Sequence, residues 1–203
     1  MSNETVANPN ADCVALLAHA NAHVRRDAAR DLYVAGVGLC EAAIDEWRTD
    51  REFDELLVRA SHEHSPWRMV VGIAVKPETF AAIHKVMGSP RLADVPPDQD
   101  AKEFEIHCDD GAELDILTAR DGGGTGPIAK FVEKFGEGIQ QVEVYVLDVD
   151  RATAILHSRF GVVSIYPKPR PGADGTRVNF FLAKAPNDKK VLVELVQAAA
   201  SSE

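Results

Sequence analysis

Pro127 to Ala152, PIAKFVEKFGEGIQQVEVYVLDVDRA, decides the fold. Its opening places Ile128, Phe131, Val132 and Phe135 at i, i+3, i+4 and i+7, one apolar face of an α-helix. Pro127 suits a first helical position, where its missing N–H leaves no bond unmade. Gly136 and Gly138 then end the helix. Ile139 to Val146 is β-branched and alternating: Val142, Val144 and Val146 point one way, Gln141, Glu143 and Tyr145 the other. An amide, a carboxylate and a phenol on one face suit solvent or the lining of a polar cavity.

Outward from this stretch, the second half continues as a helix over Asp148–Phe160 (Ala152, Ile155, Leu156 inward). Strands follow over Val162–Tyr166, Val178–Leu182 and Lys190–Gln197, with a loop over Pro167–Gly175. The first half has the same order. Arg68–Val75 is a strand, and Pro77–Met87 is a helix with Phe80, Ile83 and Val86 inward. Residues 90–101, with three prolines, form a loop holding at most a poor edge strand. Lys102–Cys108 and Glu113–Thr118 are strands joined by the hairpin turn Asp109-Asp110-Gly111. Arg120–Gly126, RDGGGTG, is the flexible join between the halves; it lacks the Gly-Lys-Ser/Thr of a phosphate-binding loop. The repeated order strand–helix–strand–strand–strand predicts an α+β fold with an internal repeat, in two βαβββ modules of about 67–120 and 126–198.

Ahead of them, residues 1–10 form a polar, mobile terminus and residues 11–66 a helical extension. Val14, Leu17, Ala18 and Ala22 make one stripe. Leu32, Val37, Leu39, Cys40, Ala43, Ile44 and Trp47 make a longer one, weakened in its middle by Gly36 and Gly38. Thr49-Asp50 caps a third, short helix carrying Phe53, Leu56 and Leu57. Such stripes predict packing or dimerisation, and a homodimer is the expected assembly.

The 203 residues carry a net charge of −10, with no basic patch to serve a nucleic acid. No apolar run reaches the length of a membrane span, and the N-terminus MSNETVANPNAD lacks the basic flank and apolar core of a secretory leader. Three scattered cysteines do not make a disulfide framework. These features predict a cytoplasmic protein that binds neither nucleic acid nor membrane. An anionic ligand would need local basic residues, and Lys168, Arg170 and Lys184 stand near strand ends.

The quoted stretch, followed by Arg170–Val178 (RPGADGTRV) and Val191–Val196 (VLVELV), resembles the methylmalonyl-CoA epimerases of the vicinal oxygen chelate (glyoxalase/bleomycin-resistance) superfamily. The resemblance spans roughly residues 68–198. It implies that the curved sheets of the two βαβββ modules pair around a metal-holding cleft, in which a Lewis acid stabilises an enolate while a neighbouring carboxylate takes the proton. It also implies a small-molecule substrate such as an acyl-CoA, and makes residues 67–203 the vicinal oxygen chelate domain.

The ligand positions that the resemblance implies are altered. Before Val71-Gly72-Ile73-Ala74-Val75 stands Val70 where the family has histidine. Asp115 falls at the usual Glu/Gln position, Gln141 at the second histidine, and Glu194 keeps its acid. Asp115, Gln141 and Glu194 are the candidate metal ligands, suited to Mg²⁺, Mn²⁺ or Ca²⁺ rather than Zn²⁺. Glu194 and Glu143 are the candidate catalytic residues. Gln141, Tyr145, Arg177, Asn179 and His107 are the candidate ligand contacts. His62 and His64 share an H-x-H spacing in the linker before the first strand. Two functions follow: an isomerase or lyase acting on an acyl or dicarbonyl compound, or a metal-free small-molecule binding protein or scaffold.

Overall fold

The computed structural model describes residues 10–60, 64–120, 124–185 and 190–199. Most of the expected mobile terminus, the histidine at 62 and the centre of the glycine join at 121–123 lie outside these residues. The N-terminal part contains α1 (Ala11–Leu16), α2 (Ala22–Trp47) and α3 (Arg51–Leu56). The Asp50 side chain caps α3 by accepting from the Glu52 and Phe53 amides at 3.0 and 3.1 Å, which contributes about 1 kcal/mol. The first module follows as β1 (Met69–Ala74), α4 (Pro77–Val86), β2 (Ala101–His107) and β3 (Glu113–Ala119). The second contains α5 (Pro127–Phe135), β4 (Gly138–Tyr145), α6 (Val149–Phe160), β5 (Arg170–Pro171), β6 (Arg177–Lys184) and β7 (Lys190–Gln197). Gly136 closes α5 at φ 77°, a left-handed conformation that side chains resist.

The seven strands form one curled sheet in the order β2-β3-β1-β4-β7-β6-β5. In each half the leading strand runs parallel to the last (β1 to β3, β4 to β7), and the last runs antiparallel to the one before it. The repeat read from element order is therefore also a repeat of pairing. The halves join where β1 and β4 pair antiparallel.

Two expectations need correction. Val162–Tyr166 is not a strand: it makes a single bridge, Ser164 to Phe181. Pro167 and Pro169 offer no N–H to a ladder. The Ser164 hydroxyl also donates to the Tyr166 carbonyl at 2.6 Å, which turns the chain. A two-residue strand, β5, forms inside the predicted loop instead. In the first half the proline segment holds a 3-10 turn at Pro97–Gln99 and no strand. The described sheet thus has seven strands where two full modules would supply eight.

The outer face of the sheet is covered by helices. Val142 and Val144 join Trp47, Phe53, Leu156 and Phe181 in one core, and Val71, Ile73 and Ile116 join Leu32, Tyr33 and Phe104 in another. Helix α2 packs on both. Gly36, which weakens the helical stripe in sequence, sits where α2 crosses β1: an added Cβ would lie 2.5 Å from Val71 Cγ1. Its missing side chain is what lets helix and sheet approach. The inner face is left free for a cavity.

Candidate functional site

Alternation along the strands decides what reaches the inner face. On β4 the valines take the outer face, so Gln141, Glu143 and Tyr145 turn inward, each under a tenth exposed. Register then aligns their neighbours. Glu143 lies opposite Glu194 of β7 and opposite Val70 of β1, while Gly72 lies between Asp115 of β3 and Gln141. Gly72 makes room for the glutamine: a Cβ there would meet Gln141 Cγ at 2.6 Å.

These residues line a cavity of about 300 Å³. Among the described residues seven carboxyl groups line it: Glu103 and Glu105 from β2, Asp115, Glu143 and Glu194, and, at the loops, Asp98 and Asp174. Leu117, Leu192, Val178, Phe180, Tyr145 and Tyr166 supply its apolar wall. At its centre the Gln141 amide nitrogen donates to Glu194 Oε2 at 2.6 Å and to Glu143 Oε1 at 3.3 Å. One amide thus holds two carboxyls from neighbouring strands. Burial raises the pKa of Glu103, Asp115, Glu143 and Glu194, and repulsion from neighbouring acids adds to it. Glu143 is pushed up to about 8, by burial first and then by the Glu103 charge. Glu103 is pushed up to about 7 by burial, then by Asp174 and Glu105. Asp115 and Glu194 rise well above the ordinary carboxyl range, chiefly through burial. Such a cluster holds protons at neutral pH and can exchange them with a ligand.

The cavity is roofed by one loop from each module. Arg91 pairs with Asp174 at 2.5 Å, the Asp94 amide donates to Asp174 Oδ1 at 2.9 Å, and the Gln99 amide nitrogen donates to the Pro171 carbonyl at 3.0 Å. Arg170 pairs with Asp98 and lies over the Tyr166 ring. Asp174 holds this position at φ 49°.

The structure brings Asp115, Gln141, Glu143, Tyr145 and Glu194 together around the cavity and leaves three expected contacts outside it. Arg177 is half-exposed and paired with Asp150 at 2.5 Å. Asn179 is fully buried behind the sheet, where its amide oxygen accepts from the Phe180 N–H and its nitrogen reaches Thr153 on α6. Their neighbours Val178 and Phe180 occupy the inner face instead. His107 is exposed, 2.8 Å from Glu105, and borders a separate groove beside α2. His64 packs near the Tyr33 ring and Asp110, away from the cavity. Glu103 and Glu105 were overlooked as site residues. Their spacing with His107 on one strand face was the available signal, and the cavity lies at the glutamate end of it.

A resident divalent ion needs several donor atoms turned on one point. Among the described residues no three His, Cys, Asp or Glu side chains do this. Val70 offers no donor and packs with Tyr145, Val178 and Val196. Gln141 presents its N–H donors, not its oxygen, to the two glutamates. The side chains as arranged do not fit such an ion.

No family model matches the chain, and no curated protein matches it. Solved structures do. Methylmalonyl-CoA epimerase from Mycobacterium tuberculosis is 32% identical at a TM-score of 0.52, over 64% of this chain and 87% of that one. A methylmalonyl-CoA epimerase in complex with methylmalonyl-CoA and NH4+ is 26% identical at 0.51, over 66% and 95%. A Streptomyces coelicolor methylmalonyl-CoA epimerase variant in complex with 2-nitronate-propionyl-CoA is 25% identical at 0.50, over 64% and 96%.

Proposed function

The chain belongs to the vicinal oxygen chelate superfamily, and from that premise we propose that it is an epimerase-like isomerase that moves a proton beside a carbonyl using carboxyl groups. The observation that carries this is the pair Glu143 and Glu194, buried on one cavity floor and held by a single amide. Two carboxyls so close share protons rather than both ionising. The ionised partner takes the proton from the carbon next to the carbonyl, and the electron pair moves onto the carbonyl oxygen. The protonated partner returns a proton to the substrate, and the pair ends with its roles exchanged. Return of the proton to the face of the planar enolate opposite to the one it left inverts that carbon, so the substrate carbon would lie between the two carboxyls. Gln141 fixes the distance between the two groups, and the apolar wall keeps water from competing for the proton. Tyr145 closes the floor beside Glu143 and positions the substrate by contact.

An acyl thioester is a fitting substrate class, since similar epimerases have been solved with acyl-CoA compounds. A free carboxylate on that substrate would meet the carboxyl side chains that line the cavity, so acyl or dicarbonyl groups without one suit it better. The test is deuterium uptake from D2O, in EDTA, by a panel of acyl thioesters and β-dicarbonyl compounds that includes methylmalonyl-CoA. Exchange at the carbon beside the carbonyl is expected, and Glu194→Gln should lower it by about 100-fold or more with the fold intact by circular dichroism. Exchange that needs added Mn²⁺, or that survives in Glu194→Gln, would overturn the proposal. The roof of paired loops favours a second reading, a binding protein of the bleomycin-resistance type. Tight binding with no exchange across the panel would select it.

A further inference from the structure

The proton-transfer reading uses Glu143, Glu194 and Gln141, and leaves Asp115, Glu103 and Glu105 without a task. Asp115 stands out among these. It is 5% exposed, lines the cavity, and its Oδ1 has no hydrogen-bond partner. A carboxyl oxygen left alone at such depth is costly unless something pairs with it. The chain supplies little that can. Among the described residues lining the cavity the one basic side chain is Arg170, and it is committed to Asp98 and to the Tyr166 ring. Arg68, near the floor, lies over Tyr145 at 4.0 Å and 3.5 Å from Glu113. The missing positive charge is therefore one that the ligand would bring.

We propose that the cavity takes a small organic cation, a protonated amine joined to an apolar or aromatic body, with the ammonium seated against Asp115. The proposal rests on the cleft being the ligand site and adds the class of ligand. The cavity has room for an amine with a single ring, and Phe180 and Tyr166, whose rings meet edge to face at 5.9 Å, wall the space the ring would fill. The ammonium has three N–H donors for the oxygens of Asp115 and the β2 glutamates. The chain's net charge of −10 draws cations towards the entrance.

The test titrates the full chain with primary arylalkylamines of increasing length, 2-phenylethylamine among them, by calorimetry. The matching neutral probe is 2-phenylethanol, the anionic one phenylacetate, and Mn²⁺ alone is the inorganic cation. At pH 8 the best amine should bind at least about tenfold more tightly than the alcohol. Asp115→Asn should erase that preference, while Arg177→Ala, remote from the cavity, should keep it. Alcohol or phenylacetate binding as well as the amine overturns the cation class but leaves the cleft as a ligand site. Stoichiometric Mn²⁺ that excludes the amine overturns it in favour of an ion site. No amine binding, with deuterium exchange on neutral carbonyl compounds intact, overturns it while the isomerase reading stands.

Discussion

Replacing Glu143 by glutamine isolates the cost of holding an ionisable group in this cavity. The groups facing it are Glu103 and Glu105 from β2, Asp115 from β3, Gln141 on its own strand, Glu194 from β7 and Arg68 just before β1. Burial and the acids outweigh Arg68 and the Gln141 hydrogen bond, so the group titrates at about 8 in the folded chain against an ordinary 4.5. The folded state thus binds this proton more tightly than the unfolded state. Below pH 4.5 both states are protonated and the stability is fully present. From there it falls as pH rises, until the folded group also ionises near 8. At 1.36 kcal/mol per pH unit the interval amounts to about 5 kcal/mol, an upper figure because the neighbouring acids compete for the same protons. One kcal/mol moves the melting temperature of a domain this size by about 2–4 °C. Glutamine keeps an oxygen to accept from Gln141 and cannot ionise. Melting curves from pH 5 to 9 should nearly superpose at pH 5. By pH 9 wild type should lie about 10 °C below Glu143→Gln. Parallel curves would refute the raised pKa and the proton-holding role built on it.

Gly36→Val should cost about 1–3 kcal/mol of stability by overpacking, since its Cβ falls 2.5 Å from Val71 Cγ1. Denaturant titration measures the loss, Val71→Ala should restore part of it, and an unchanged midpoint would mean that α2 does not seat on β1. Asp174→Ala removes the Arg91 pair and the acceptor for the Asp94 N–H, and places alanine at φ 49°. About 1–3 kcal/mol should be lost, with faster proteolysis in both roof loops. Asp174→Gly should recover the backbone share of that loss, and equal loss in both variants would refute the strain argument.

Much of the fold was legible because its signals are local: helix spacing in α5, the Asp50 cap, and the glycines that end α5. Even the pairing repeat followed from element order. The site was legible only in part. Alternation on β6 separates Arg177 and Asn179 from Val178 and Phe180, but not which pair faces inward. Both faces of that strand meet protein, one helix and one cavity, so polarity does not choose between them. On β2 the same alternation joined His107 to Glu103 and Glu105, yet which end meets the cavity depends on the depth at which the sheet curls. Val162 to Tyr166 reads as a strand because β-branched residues suit one, whereas the prolines after it decide against it.

Helix α2 has a mechanical consequence. Its first turns bury Ala28, Ala29, Leu32 and Tyr33 in the core of the first module, and its last bury Cys40, Ala43, Ile44 and Trp47 in the core of the second, with Val37 touching both. It is a splint laid across the junction of β1 and β4. Duplicated modules joined by one antiparallel strand pair could melt in two steps, one half unravelling while the other persists. With α2 lying across both, neither half can come apart without lifting the helix from the other. The molecule should therefore unfold in a single cooperative transition, and the helical extension is what makes two repeats behave thermodynamically as one.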